Sequence, residues 1–339
     1  VAGHPEVDGD RCVHARIETA TCRACVDVCP RQAWRLDDDG LGLDEAACDG
    51  CGLCVAACPP GAIGGLAPQP ARRRVAGREA LLAACDRVSE GGGEGHPPCL
   101  HGIGLMPLLE AWRQGQRIWL VASADCDACP RGQGERLETR VEHLNGLFQA
   151  RGLAPIHLRR LGPESLATLL AGSDTPPAEP PPDKRKRSWL GLAPDPAQAP
   201  EQAPQAPGAY FTGKGPLPWS LRLDTTACVA CHACIRVCPS GALAQQVLAE
   251  PPHGGPSHLY RLDPARCTGC HLCRDVCEHD AIHLAPWTRP TQETVYLRAK
   301  LCPACGTLFH YPADRATPPS QCWVCAGGKT GGRLYQVMG

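Results

Sequence analysis

Eight cysteines between Cys228 and Cys277 constrain this chain more than anything else in it. They read Cys228-x2-Cys231-x2-Cys234-x3-Cys238-Pro239 and then, after a gap, Cys267-x2-Cys270-x2-Cys273-x3-Cys277. Three thiolates spaced by two residues let one tight loop wrap three corners of an iron–sulfur cubane, while a fourth, three residues on, points elsewhere. Two other uses compete. Cys228-Val229-Ala230-Cys231-His232 and Cys267-Thr268-Gly269-Cys270-His271 both fit the c-type haem attachment pattern, but haem leaves the other cysteines of each run unexplained. A disulfide framework suits a secreted chain under about 100 residues, and this chain has 339.

The tandem resembles the bacterial-type dicluster ferredoxin, which carries two 4Fe–4S clusters. In that family the fourth cysteine of each run ligates the neighbouring cluster. The resemblance therefore implies one cluster on Cys228, Cys231, Cys234 and Cys277, and another on Cys267, Cys270, Cys273 and Cys238. One departure is Glu278, where a proline usually follows the last cysteine; it alters a turn and not a ligand.

The pattern recurs near the start of the chain. Cys48-x2-Cys51-x2-Cys54-x3-Cys58-Pro59 is complete, whereas Cys22-x2-Cys25-x3-Cys29-Pro30 lacks its first cysteine and has Thr19 in that place. Cys12, ahead of an inserted loop, is the nearest substitute. The same resemblance implies one cluster on Cys48, Cys51, Cys54 and Cys29, and one on Cys12, Cys22, Cys25 and Cys58. Without Cys12 the second would be a three-iron or labile cluster. An internal repeat accompanies the four runs: Ala33-Trp34, Ala62-Ile63, Ala242-Leu243 and Ala281-Ile282 each follow a fourth cysteine at one offset. That reads as four copies of a unit made of cluster loop, short helix and strand. Trp34–Asp37 and Tyr260–Asp263 alternate as short strands.

Residues 71–171 carry no such run. Glu79–Val88 has helical period, which puts Cys85 at a helix end, and Arg136–Gln149 is an amphipathic helix. Ile118–Ala122 and Ile156–Leu161 read as strands, so a small α/β unit is expected. Its cysteines are Cys85, Cys99, Cys126 and Cys129. They could hold a fifth iron–sulfur cluster or zinc, or Cys126 and Cys129 could form a redox dithiol. The ligand count favours a single four-thiolate site, because the ferredoxin-like runs take sixteen of the 24 cysteines and the C-terminal pairs take four. His96 and His101 flank Cys99 and read as solvated loop residues. The Gly91–Gly95 run reads as a flexible connection.

Residues 172–217 are rich in Pro, Ala and Gln and read as an extended linker. Lys184–Arg187 reads as a solvated charge run, and Trp189-Leu190 and Tyr210-Phe211 as apolar docking points. Beyond residue 295, Cys302-Pro303-Ala304-Cys305 and Cys322-Trp323-Val324-Cys325 resemble a zinc ribbon, with rubredoxin-like mononuclear iron as the alternative. His310 is a spare nitrogen beside a site already filled by four thiolates.

The expected architecture is α+β and multidomain: a dicluster ferredoxin-like domain at 1–70, a small α/β cysteine-cluster domain at 71–171, a linker at 172–217, a second dicluster domain at 218–295, and a zinc-ribbon-like module at 296–339. With only 3 Phe, 5 Tyr and 2 Met, the cores are small and stapled by metal centres. A net charge of −1 speaks against nucleic acid. No apolar run is long enough to span a membrane, and no export signal is visible, so a reducing cytoplasm is expected. No nucleotide or flavin fingerprint appears, which places any catalysis in a partner. The expectation is a polyferredoxin-like electron-transfer subunit for an oxidoreductase, resembling those that accompany molybdopterin enzymes such as formate dehydrogenase. The alternatives are an accessory or maturation factor for such an enzyme, and a ferredoxin-fed dithiol oxidoreductase using Cys126 and Cys129.

Overall fold

The computed structural model describes residues 3–37, 40–66, 70–75, 77–88, 98–132, 135–171, 206–248 and 255–327. The readings placed on Gly91–Gly95, His96, Lys184–Arg187, Trp189-Leu190 and most of the linker lie outside these residues. The chain divides into two compact units. The first takes Val1–Glu6, Ala24–Leu36 and Gly42–Gln205; the second takes Val7–Arg23, Asp37–Leu41 and Ala206–Gly339.

In the first unit, the cluster-motif helices α1 (Ala24–Asp27) and α2 (Leu53–Ala57) pack against each other. Strand β1 (Trp34–Asp37) follows the first motif and begins with a buried Trp34. Beyond them stands a four-stranded sheet of β2 (Ala71–Val75), β3 (Arg78–Ala84), β4 (Ile118–Ala122) and β5 (His157–Arg160), in that order. β2 and β3 are antiparallel, while β3–β4 and β4–β5 are parallel, with Leu82 opposite Leu120 and Leu120 opposite Arg159. The parallel pairs require crossovers. These run through α3 (Leu105–Arg113) and α4 (Leu137–Gln149), whose Trp112 and Phe148 rings stack at 4.5 Å. A last helix, α5 (Pro163–Ala171), sets Leu166 against Leu82, Ala84, Leu120 and Ala122.

The helix expected over Glu79–Val88 is corrected here: its first half is strand β3, and Cys85 follows a strand end. The physical reason is visible in Ala80–Ala84, all five of which are buried. A central strand of a parallel sheet is covered on both faces, so its sequence loses the alternation of a half-exposed strand. The strand at Ile118–Ala122 and the helix at Arg136–Gln149 match β4 and α4, with Arg136 as the cap of α4.

In the second unit, β6 (Leu217–Leu223) pairs antiparallel with β9 (Ile282–Thr288), so that Leu223 lies opposite Ile282. Between these two strands in sequence lie α6 (Ala233–Val237), β7 (Leu243–Val247), β8 (His258–Leu262) and α7 (Leu272–Asp275). A continuous antiparallel sheet joins β7, β8, β10 (Thr294–Leu301) and β11 (Leu308–Pro312). A short helix, α8 (Trp323–Ala326), follows. The core of this unit mixes Leu221, Tyr260, Leu262 and Leu297 with Cys228, Cys267 and Cys273. Residues 206–217, at the end of the expected linker, are built into the unit. Pro207–Tyr210 forms a turn of 3₁₀ helix, Phe211 is buried, and Gly208 lies so close to Ala265 that a Cβ would meet its backbone at 2.7 Å.

Because Leu82 is fully enclosed in the middle strand of the first unit's sheet, Leu82→Ala is expected to cost about 3 kcal/mol through lost burial and a residual cavity. Thermal unfolding of the anaerobic protein, followed by far-ultraviolet circular dichroism, checks this.

Candidate metal centres

The repeated Ala after each fourth cysteine has a structural cause. The backbone N–H groups of Ala33, Ala62 and Ala281 donate to the sulfurs of Cys29, Cys58 and Cys277, at 3.4, 3.2 and 3.3 Å. All four repeat alanines are buried, as are Trp34, Ile63, Leu243 and Ile282 behind them. The loops themselves share a backbone device: Gly52, His232 and His271, each directly after the second cysteine of a run, are all left-handed, at φ 77°, 65° and 63°.

In the second unit, Cys228, Cys231, Cys234 and Cys277 line one recess of about 330 Å³. Cys238, Cys267, Cys270 and Cys273 line another of about 290 Å³. Each recess takes three cysteines from one run and one from the other. Burial, reinforced by neighbouring thiols, pushes Cys234 up to about 12, and burial does the same to Cys267. Sulfur held this way is either a neutral thiol or a thiolate whose charge is met by a cation, and a metal provides that cation. Around the first recess, the Tyr260 hydroxyl bonds His232 Nδ1 at 2.8 Å. Burial, then the nearby His310, drives the His232 pKa down to about 4, so its ring is neutral. His310 packs against His232 and His258 rather than joining the C-terminal cysteines.

In the first unit, Cys29, Cys48, Cys51 and Cys54 line a recess of about 300 Å³ floored by Trp34 and Leu53. Burial pushes Cys51 up to about 12 and Cys54 up to about 11. Of the remaining quartet, Cys12 and Cys22 belong to the second unit and Cys25 and Cys58 to the first. Cys12 caps a 3₁₀ turn over Val13–Ala15, and His14 Nε2 bonds the Cys22 carbonyl at 2.7 Å. Thr21 donates its N–H and hydroxyl to Asp275 in the same unit, at 2.9 and 3.0 Å.

The middle quartet sits at the carboxyl ends of parallel strands, where open α/β sheets place their sites. Cys85 follows β3, and its N–H bonds the Ala122 carbonyl at the end of β4. Cys126 and Cys129 lie in the loop after β4. That loop closes through Gly132, whose N–H bonds the Cys129 carbonyl at 2.8 Å and where a Cβ would fall 2.3 Å from the Cys126 carbonyl. Together with Cys99 they line a recess of about 350 Å³. Burial, with Cys129 and Cys126 nearby, pushes Cys99 up to about 11. His101 also lines the recess and is only 3% exposed, which corrects its reading as a solvated loop residue. The helix end of α4 holds it there, since the Leu137 N–H donates to its Nδ1 at 3.1 Å.

Sequence reasoning missed the clamp that joins this recess to its neighbour. Arg131, two residues after Cys129, donates to Asp49 at 2.7 Å, to Asp86 at 2.7 and 2.9 Å, and to the Pro98 carbonyl at 3.1 Å. Asp49 lies between Cys48 and Cys51, Asp86 follows Cys85, and Pro98 precedes Cys99. One guanidinium thus ties three cysteine loops from two quartets, as its forked donors allow. Burial would raise the Asp49 pKa, but the hydrogen bond and charge of Arg131 outweigh it and hold the carboxyl below its usual range. The two recesses also share a small core of Cys51, Leu53 and Cys99. The signal available in the sequence was an Arg directly after Cys-x2-Cys-Pro, with Asp residues beside two other cysteines.

The C-terminal quartet is built differently. The sulfurs of Cys302, Cys305, Cys322 and Cys325 all lie within 4.8 Å of one another, and Cys305 and Cys322 are 3.8 Å apart. Four sulfurs at about 2.3 Å from one ion sit roughly 3.8 Å apart. Among the described residues this is the group with such close spacing. The Cys322 N–H donates to Cys302 Sγ at 3.4 Å and brings that thiol down to about 6, so it ionises readily. Left-handed Gly306 (φ 73°) turns the first knuckle and bonds the Cys302 carbonyl at 2.8 Å.

Comparison with known proteins agrees with the ferredoxin-like runs. Residues 19–63 and 227–281 each match a family described as a 4Fe-4S dicluster domain. Cys12 lies outside the first match. The chain is also similar to the protein named Hydrogenase-4 component A of Escherichia coli (strain K12), with 32% identity over 108 residues. That stretch is 32% of this chain and spans about half, 47%, of the relative. The chain therefore carries two 4Fe–4S dicluster domains, at residues 19–63 and 227–281.

The Arg131 clamp yields a stability prediction. Arg131→Ala leaves the partly buried Asp49 and Asp86 without their shared cation, and the expected cost is about 1–3 kcal/mol. Arg131→Lys, lacking the fork, restores less than half of it. Arg35→Ala, which breaks an exposed pair with Asp44, serves as the control and should change stability by under about 0.5 kcal/mol. Thermal unfolding under anaerobic conditions ranks the three.

Proposed function

We propose that this chain is a multi-centre electron relay, a polyferredoxin-like subunit that carries single electrons to or from the catalytic subunit of an oxidoreductase. The observation that carries the reading is the set of four described recesses, each ringed by four cysteines, with a compact fifth quartet at the C-terminal end. A 4Fe–4S cluster bound by such a ring supplies reversible one-electron storage. The assignments are Cys228, Cys231, Cys234 and Cys277; Cys238, Cys267, Cys270 and Cys273; Cys29, Cys48, Cys51 and Cys54; and Cys12, Cys22, Cys25 and Cys58. The middle quartet, Cys85, Cys99, Cys126 and Cys129, is assigned a fifth cluster. Support comes from a recess as large as those of the dicluster runs, lined by all four cysteines together. A dithiol role for Cys126 and Cys129 would leave buried Cys85 and Cys99 beside them without a function.

Zinc is assigned to Cys302, Cys305, Cys322 and Cys325, since the close sulfur spacing suits one tetrahedral ion. As a redox-inert staple at the end of the β7–β8–β10–β11 sheet, it would hold β10 to β11. The residues' part in electron transfer is to wrap each centre, exclude water and donate backbone N–H groups to sulfur. Thiolate-rich centres suit a reducing compartment, here the cytoplasm. Among the described residues, no helix is long and apolar enough to cross a membrane.

Support for the partner class comes from the relative, whose name marks it as a hydrogenase component. We assign the partner to the hydrogenase and formate-dehydrogenase type of multisubunit oxidoreductase. Metal and sulfide analysis of anaerobically purified protein tests the reading: about 20 Fe, about 20 sulfide and 1 Zn per chain are expected. About 16 Fe would remove the middle cluster, and fewer than about 12 after full reconstitution would replace the relay with an accessory role.

A further inference from the structure

His101 carries a buried donor with nothing to receive it. Its Nδ1 accepts the Leu137 N–H. A backbone N–H can only donate, so Nδ1 is unprotonated and the ring hydrogen sits on Nε2. The bond is a consequence of helix architecture, because Leu137 opens α4 and its N–H has no partner within the helix. Nε2 has no hydrogen-bond partner among the described residues, and its atom is buried. An unpaired buried N–H costs about 1–3 kcal/mol, so a residue kept in this state points to an acceptor the protein chain does not provide. His101 lines the recess of Cys85, Cys99, Cys126 and Cys129.

Its placement is enforced from behind. Arg140, 4% exposed, donates to the His101 carbonyl at 3.2 Å and to the Ile103 carbonyl at 2.5 Å, and pairs with Glu135. On the other side, the Cβ that Gly102 lacks would meet the Cys51 carbonyl at 3.1 Å. The turn over Leu100–Gly102 is thus held between α4 and the loop of the neighbouring quartet. The recess wall also includes Arg87 and Arg131.

We propose that His101 is a positioning residue that donates its Nε2–H to a sulfur of the centre held by Cys85, Cys99, Cys126 and Cys129, and so makes that centre easier to reduce. The inference rests on the reading that this recess holds an iron–sulfur cluster. Its physics is general: adding an electron raises the negative charge on the cluster sulfurs, a hydrogen bond to sulfur stabilises the reduced form more than the oxidised one, and the potential rises.

The experiment uses the full chain, purified anaerobically and titrated redox-step by redox-step with electron paramagnetic resonance detection. The middle centre is assigned as the signal lost in the Cys126→Ala, Cys129→Ala double variant. His101→Leu is expected to keep about 20 Fe and to make the middle centre about tenfold harder to reduce, a shift of about 59 mV to the negative for one electron. The other centres should not move. His101→Gln, which returns an N–H near the Nε2 position, should recover most of the shift. A His101→Leu protein with full iron and an unchanged middle potential overturns the proposal. Should that variant lose iron, the wild-type chain labelled with ¹⁵N-histidine decides: a ¹⁵N coupling on the reduced middle signal supports the hydrogen bond, and its absence overturns it. A wild type with about 16 Fe and no fifth signal takes the proposal down together with its premise, whereas about 20 Fe with no effect of His101 removes the hydrogen bond alone.

Discussion

Buried sulfur is the constraint on which everything else in this protein depends. The cores of both units include cysteines: Cys228, Cys267 and Cys273 among the apolar residues of the second, Cys51 and Cys99 beside Leu53 in the first, and Cys302 and Cys322 with Phe309 and Tyr311 at the C-terminal end. A chain with so few large aromatic side chains has little else to bury around its loops. Where sulfur is buried in groups of four, the free energy of metal binding becomes part of the free energy of folding. The small residues follow from the same demand. Ala33, Ala62 and Ala281 are buried with their N–H groups on cysteine sulfurs, and Gly132 has no side chain because a Cβ there would fall 2.3 Å from the Cys126 carbonyl.

Within the first unit, the α/β sheet does two jobs. Its parallel strands end at Cys85 and at the loop of Cys126 and Cys129, so the backbone that forms the core also sets the spacing of these cysteines. Its loops then reach the dicluster motif through Arg131, Gly102 and the shared core of Cys51 and Cys99. Two recesses that belong to different sequence modules are thereby fixed to one another by a guanidinium fork and close backbone packing. For a relay, such rigidity matters, because electron transfer between centres depends on their separation staying constant.

Much of this was legible in the sequence, and the parts that were not failed for identifiable reasons. The cysteine runs, the Ala-plus-apolar repeat, the strand at Ile118–Ala122 and the helix ending at Gln149 could be read because spacing and periodicity encode them locally. β3 could not, because Ala80–Ala84 is apolar throughout and its strand identity comes from the strands on either side. His101 was read as solvated because its neighbours in sequence say nothing of α4, which arrives from 36 residues away to occupy its Nδ1. Arg131 was missed for the same reason: its two carboxylate partners lie 82 and 45 residues distant. Local spacing pointed to the cysteine groups, whereas the residues that orient and join these groups are assembled only by the fold.

The measurement that bears most directly on this account is anomalous diffraction from anaerobically grown crystals of the full chain, collected at the iron and zinc edges. The account predicts a multi-iron peak within each of the four described cysteine recesses, including that of Cys85, Cys99, Cys126 and Cys129, and a single zinc peak among Cys302, Cys305, Cys322 and Cys325. A middle recess without iron, with Cys126 and Cys129 joined as a disulfide or left as free thiols, would contradict it.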